Sequence, residues 1–180
     1  MTDLRVLASE RLMALYRERR DPAAMEALVD RFARPALAAA RQLIADPAQV
    51  EDAVQETFLR LVRAPRAYDP ARPFAPWFFA VLRNVCRDLS RQRARRDALL
   101  QEAAVRIPIP VGGDGALPEE MLSPLECLGR IERAVLTLRL VDGLDFETIA
   151  VALGISHEAA KKRAQRGLRR LRARCTALGT

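Results

Sequence analysis

Between Arg106 and Pro118 six residues are proline or glycine: Pro108, Pro110, Gly112, Gly113, Gly115 and Pro118. Proline removes a backbone donor and glycine adds chain entropy, so neither a helix interior nor a central strand tolerates such a run. This break divides the 180-residue chain into an N-terminal domain over 1–98, a linker over 99–122 and a C-terminal domain over 123–180. Half of all residues are hydrophobic, enough for a packed core, while β-branched and aromatic residues are too sparse for a large sheet.

Helical signals fill both parts. Leu4, Leu7, Leu12, Leu15 and Tyr16 recur at roughly helical spacing, and Asp21-Pro22 and Asp46-Pro47 each read as an N-cap with proline in the first turn. The run from Ala24 to Ala45 meets a possible bend at Pro35. Val50, Val54, Phe58 and Leu61 then line one face, with Asp52, Gln55 and Glu56 on another. After the linker, Ser123-Pro124-Leu125-Glu126 has the form of a capping box, and Leu128, Ile131, Val135 and Leu138 continue at three- and four-residue steps. Asp145 is the expected cap of a short helix, Gly154 its sharp exit and Ser156 the cap of the last helix. The expected fold class is all-α: two small helical domains joined by a Pro/Gly-rich linker, the second a helix-turn-helix domain.

Positive charge is concentrated at the C-terminal end. From Ser156 to Cys175 eight bases face one acid, Glu158, and that surplus equals the whole chain's formal charge of +7. Such locality marks a surface for a polyanion. In a helix-turn-helix unit the early residues of the second helix meet base edges; here Lys161, Lys162, Gln165 and Arg166 share a broad face. Glutamine suits adenine, arginine or lysine guanine. Arg163, Arg169 and Arg170 suit phosphates. The competing reading is a solvated basic helix that touches nothing.

A second basic stretch lies before the linker. Phe74, Trp77, Phe78 and Phe79 open onto a helix with six arginines and one acid between Arg83 and Arg96, where Asn84, Arg87 and Arg91 share one face. Rings that stack on bases beside guanidinium groups that hold phosphates suit single-stranded nucleic acid, although aromatic clusters are usually core.

Other chemistry is not signalled. Cys86, Cys127 and Cys175 lie too far apart for a zinc knuckle and are odd in number, so reduced thiols in a cytoplasmic protein are expected. The N-terminus has no apolar core of signal-peptide type, and no stretch approaches the ~18 apolar residues of a membrane span, so no membrane insertion is expected. Phosphate-loop, nucleophile-elbow and zinc-protease motifs are missing. Asp52 and Glu56 could share a metal, but an acidic face that docks a basic partner needs the same residues; no catalytic residue, metal or cofactor is expected.

These residues resemble a known family. Asp52-Ala53-Val54-Gln55-Glu56-Thr57-Phe58 is similar to the signature of bacterial RNA polymerase sigma factors of the extracytoplasmic-function (ECF) type. Tyr68-Asp69-Pro70, the Phe74 to Phe79 group and Leu82-Arg83-Asn84 resemble that family's following segment, and Gly143 to Ser156 its helix-turn-helix. Larger residues usually stand at the positions of Ala159, Ala160 and Ala164, so the last helix either sits closer to the body or packs loosely.

The resemblance implies a promoter-specificity subunit without catalysis of its own. Asp52, Gln55 and Glu56 would dock on core RNA polymerase. Tyr68, Phe74, Trp77, Asn84, Arg87 and Arg91 would capture the minus-ten element, and Lys161, Lys162, Gln165 and Arg166 would read the minus-thirty-five element. It also implies an anti-sigma partner. A stand-alone helix-turn-helix regulator, or a metal-dependent helical nuclease, are the alternatives from other classes.

Overall fold

Two Asp-Pro steps fix where N-terminal helices begin. In the computed structural model, which describes residues 4–103 and 128–178, Asp21 accepts a hydrogen bond from the Ala23 amide at 3.0 Å and Asp46 from the Ala48 amide at 3.1 Å. Each carboxylate satisfies an amide that helix geometry leaves without a partner, and the proline sits where no donor is needed. The resulting helices are α1 (Ser9–Arg19), α2 (Pro22–Leu43), α3 (Pro47–Arg63) and α4 (Phe74–Ala103). Helix α2 continues through Pro35, which is buried with Ala36, Ala39 and Ala40 on the same side. Helix α4 runs past residue 98, because Ala98 to Ala103 are good helix formers.

The N-terminal core forms where α2 and α4 meet. Phe32 lies edge-on to Phe74, with ring centroids 5.1 Å apart, and 4.9 Å from Phe78. Val50, Val54 and Leu61 of α3 and Leu82 and Val85 of α4 complete it, all buried. The apolar stripes legible in sequence are therefore its walls, with Phe58 at the half-buried margin.

The C-terminal domain consists of α5 (Arg130–Leu136), a π-helical turn over Thr137–Val141, α6 (Phe146–Leu153) and α7 (His157–Leu178). The Pro/Gly run and the capping signal at Ser123 to Glu126 lie outside the described residues. Helix α5 opens at Gly129, whose amide donates to Glu132 Oε2 at 3.3 Å. Asp145 accepts from the Thr148 amide at 2.7 Å and Ser156 Oγ from the Ala159 amide at 3.1 Å. Gly154 takes φ +65°, the left-handed conformation an abrupt helix exit requires. Leu128, Val135, Leu138, Ile149 and Leu153 form this domain's core, whereas Ile131 stays partly exposed.

The two domains pack together, α6 along α4 and the π turn and α5 against α2. Among the described residues no strand occurs and no helix is long and apolar enough to cross a membrane.

Cys86 and Tyr68 lie inside the N-terminal core, each 1% exposed. Burial pushes the Cys86 thiol from 9.0 up to about 11. Burial, reinforced by the negative charges of Glu10 and Asp69, pushes the Tyr68 phenol from 10.0 up to about 12. Both folded values lie above the unfolded ones, so the stabilisation is complete below the unfolded values and is lost as pH rises through the folded ones. The urea midpoint is expected to hold steady up to pH 9.0 and then to fall through about 11 to 12, with tyrosinate absorbance appearing alongside the loss.

Candidate nucleic-acid interfaces

Asp52, Gln55 and Glu56 come to one place. They line a groove of about 370 Å³ between α3 and α4, together with Leu59, Arg60, Val85, Asp88, Leu89 and Gln92. Val54 and Thr57 turn inward and are buried, so the helical period leaves the three polar residues facing out. Glu56 accepts from Arg60 Nε at 3.2 Å and lies 3.4 Å from Arg63 Nη1, while Arg60 reaches Asp88 at 3.7 Å. Exposed pairs of this kind contribute only about 0–1 kcal/mol, so a partner's charges can replace them. Among the described residues no group of three or more His, Cys, Asp or Glu could hold a metal ion.

The aromatic stretch divides into two parts. Tyr68 and Phe74 are 1% and 0% exposed, which corrects the expectation that they face the minus-ten DNA. Their rings are held in the core: Tyr68 meets Phe74 at 5.3 Å and Trp77 at 5.0 Å, and its hydroxyl donates to the Arg72 carbonyl. Phe74 lies four residues before Phe78, on the stripe that continues through Leu82, and this spacing was the sequence signal for burial. Trp77 remains half-buried at the edge of the cluster. Asn84, Arg87 and Arg91 are exposed on α4, with Arg87 Nη2 3.4 Å from Asn84 Oδ1. One half-covered indole and a polar row on the same helix are thus available together.

On α7 the small residues face inward. Ala160 and Ala164 are buried, and a Cβ added to Gly167 would come within 2.8 Å of Leu136 Cδ1. The helix therefore sits close against α5, the first of the two arrangements its alanines allow. Lys162, Gln165, Arg166 and Arg169 are exposed, and Lys161 and Arg163 are half-buried on opposite flanks. Desolvating no cation fully, this surface keeps its charges available to phosphates and base edges.

Arg170, expected at phosphates, also has a partner within the protein. Its Nη1 lies 2.7 Å from Glu132 Oε2, and Arg166 Nη1 lies 3.7 Å from Glu132 Oε1. The Glu132 side chain is only 8% exposed, and the same carboxylate accepts from the Gly129 amide. A charge buried to this degree needs partners, and two α7 arginines supply them. Sequence reasoning passed over Glu132 because it lies in an ordinary first turn, more than thirty positions from the arginines it holds. It also gave no part in the domain contact to Arg83, whose Nη1 donates to the Val151 carbonyl at 3.3 Å, or to Arg34, whose Nη2 lies 2.8 Å from Asp142 Oδ1. No periodicity announces contacts between domains.

Comparison with known proteins follows the same division. Residues 28–96 match the model of Sigma-70 region 2, and residues 119–171 that of Sigma-70, region 4. The chain is 33% identical over 161 residues to the RNA polymerase sigma factor CarQ of Myxococcus xanthus, covering 86% of this chain and 92% of CarQ. It is 33% identical over 164 residues to the ECF RNA polymerase sigma factor SigL of Mycobacterium tuberculosis, covering 88% and 93%. Among solved structures, CnrH in complex with the cytosolic domain of CnrY is similar at 30% identity and a TM-score of 0.56, over 95% of this chain and 99% of that one. Two helical domains in this order, each with its own polar surface, and full-length relatives of that kind place the chain in the ECF family of RNA polymerase sigma factors.

Proposed function

We propose that this sigma factor docks on core RNA polymerase through the α3–α4 groove and grips a promoter at two places. Asp52, Gln55 and Glu56 meet the polymerase. Trp77, Asn84, Arg87 and Arg91 engage the minus-ten element, with Tyr68 and Phe74 as the buried support that holds the indole at the surface. Lys161, Lys162, Gln165 and Arg166 read the minus-thirty-five element, and Arg163 and Arg169 bind its phosphates; Arg170 holds α7 against α5 through Glu132. An anti-sigma partner is part of this reading, as the family resemblance implies; CnrH, similar to this chain, is likewise solved with a protein partner, the cytosolic domain of CnrY.

The observation that carries this reading is the presence of two unlike faces on one chain. A half-buried indole beside exposed asparagine and arginines suits unpaired bases, and a close-packed basic helix suits duplex DNA. A regulator that binds only duplex has no need of the first face.

Reconstitution with core polymerase and run-off transcription from a pool of genomic fragments tests the whole reading. Neither binding to core nor any new start site is the result that would sink it. The double variant Asp52→Ala, Glu56→Ala is expected to lower core affinity while leaving the thermal unfolding curve in place. Gln165→Ala should relax base choice upstream by about 1–3 kcal/mol at the position it reads, whereas Arg169→Ala should weaken binding to all sequences alike and flatten its salt dependence by about one unit of slope. Glu132→Gln removes the charge that restrains Arg166 and Arg170. Its DNA binding is expected to become more salt-dependent and less sequence-selective, as titrations of matched and scrambled duplexes at two salt concentrations would report.

A further inference from the structure

The connection between α3 and α4, residues 64–73, is mostly exposed, with Pro65 and Tyr68 as its buried residues. Its own hydrogen bonds shape turns without orienting them on the domain. The Ala67 amide donates to the Ala64 carbonyl at 3.0 Å, and Asp69 accepts from the Ala71 amide at 3.0 Å. Orientation comes from α1. Arg20, at the C-terminal end of that helix, donates from Nη1 to the Val62 carbonyl of α3 at 2.7 Å. Arg17 Nη1 donates to the Tyr68 carbonyl at 3.5 Å, and Glu10 Oε1 accepts from the Phe74 amide at 2.8 Å, where α4 begins. Glu10 and Arg17 are two helical turns apart and so share one face. One short helix thereby holds the element before the connection, its middle and the element after it.

Glu10 supplies what no neighbour of Phe74 can. The first amides of a helix have no partner within it, and Pro73, directly before, has no side-chain acceptor. A carboxylate from 64 positions earlier fills that place and meets the positive end of the helix dipole. Trp77 follows in the first turn of the same helix, and the rings against it are Tyr68 at 5.0 Å and Phe74 at 5.8 Å. These are the two residues whose backbone α1 holds. Helix α1 is itself fastened to the core by the buried Leu12, Met13 and Tyr16, and Arg31 of α2 donates to Ser9 Oγ at 2.7 Å. It precedes residues 28–96, which match Sigma-70 region 2, and carries none of the residues assigned above to polymerase or DNA.

We infer that Glu10 and Arg17 are positioning residues for the minus-ten contact. From α1 they fix the first turn of α4 and the backbone of Tyr68, and so present the Trp77 indole ready to stack on an unpaired base of single-stranded DNA. The inference rests on the assignment of the Trp77 face to the minus-ten element. A ring that must first be ordered loses that cost from its affinity, and a ring held in place beforehand does not. Neither Glu10 nor Arg17 touches the strand; each acts through the backbone beneath the indole.

Trp77 is the one tryptophan of the chain, so its fluorescence reports this position alone. In the free full chain, Glu10→Ala is expected to make the indole more accessible to quenching by acrylamide. With core polymerase, the probe is the labelled non-template minus-ten strand of a promoter recovered by run-off transcription. Its binding by Glu10→Ala is expected to weaken about tenfold, as follows when the presenting form falls to about a tenth of the population. Arg17→Ala is expected to act in the same direction. Glu10→Gln keeps an acceptor oxygen and is expected to restore wild-type quenching and most of the strand affinity. Binding of the free chain to the minus-thirty-five duplex is expected to stay unchanged in all three variants.

Wild-type quenching and strand affinity in both alanine variants overturn the positioning role. Strand and duplex binding that fall together, in step with a lower melting temperature, also overturn it and leave α1 a purely structural helix. Altered quenching in Glu10→Ala, with Trp77→Ala binding the strand as wild type does, supports the placement by α1 and rejects the minus-ten assignment beneath it. A fragment pool that yields no start site rejects that assignment too, and quenching alone then decides whether α1 places the indole.

Discussion

Helix α4 packs against α2, α3 and α6, and most of what the molecule presents follows from that. Toward α2 it offers Phe74, Phe78 and Phe79, which surround Phe32 at centroid distances of 5.1, 4.9 and 6.3 Å. Buried aromatic contacts combine large area with geometric preference, so they fix the rotation of α4 about its axis as well as its position. That rotation decides everything further along. It turns Val85 toward α3, completes the groove with Asp88 and Leu89, leaves Asn84, Arg87 and Arg91 in solvent, and aims Arg83 at α6.

Helix α7 follows a second rule, in which small residues set distance and a buried acid sorts the charges. With Ala160, Ala164 and Gly167 against α5, α7 approaches closely enough for Glu132 to reach two of its arginines. Eight bases along one helix would otherwise repel one another and bind any polyanion. Withdrawing part of that charge into an internal pair leaves Lys162 and Gln165 on the outward face.

The same residues explain why the domain contact is polar. Three backbone carbonyls at that contact, those of Gln42, Val141 and Val151, are each taken by an arginine from across the interface. Bonds to exposed guanidinium groups are exchanged for water at little net cost. An interface of this kind joins polar contacts to apolar ones, Ala152 being buried in the N-terminal core and Leu144 packing on both cores.

How much of this was legible beforehand can be judged element by element. Asp21-Pro22, Asp46-Pro47, Asp145, Gly154 and Ser156 placed helix boundaries because caps and turns act within a few residues, and local rules reach that far. Val50, Val54 and Leu61 marked a buried face because helical period is itself a local property. The charge of the last helix and the order of the motifs likewise announced the family. Tyr68 is buried because a ring's side of the surface depends on what packs over it, Phe74 follows the stripe of Phe78 and Leu82, and the pairing of Arg170 with an acid 38 positions away lies beyond any local rule. The pairing of Arg34 with Asp142 spans more than a hundred residues and leaves no trace in composition or spacing. Sequence alone determined the helices, their faces and the two concentrations of basic charge, since each is set by neighbours in the chain. Only the tertiary structure decided which of those side chains are spent on internal contacts and that the two domains close on each other, because burial and charge pairing are settled between residues that meet only after folding.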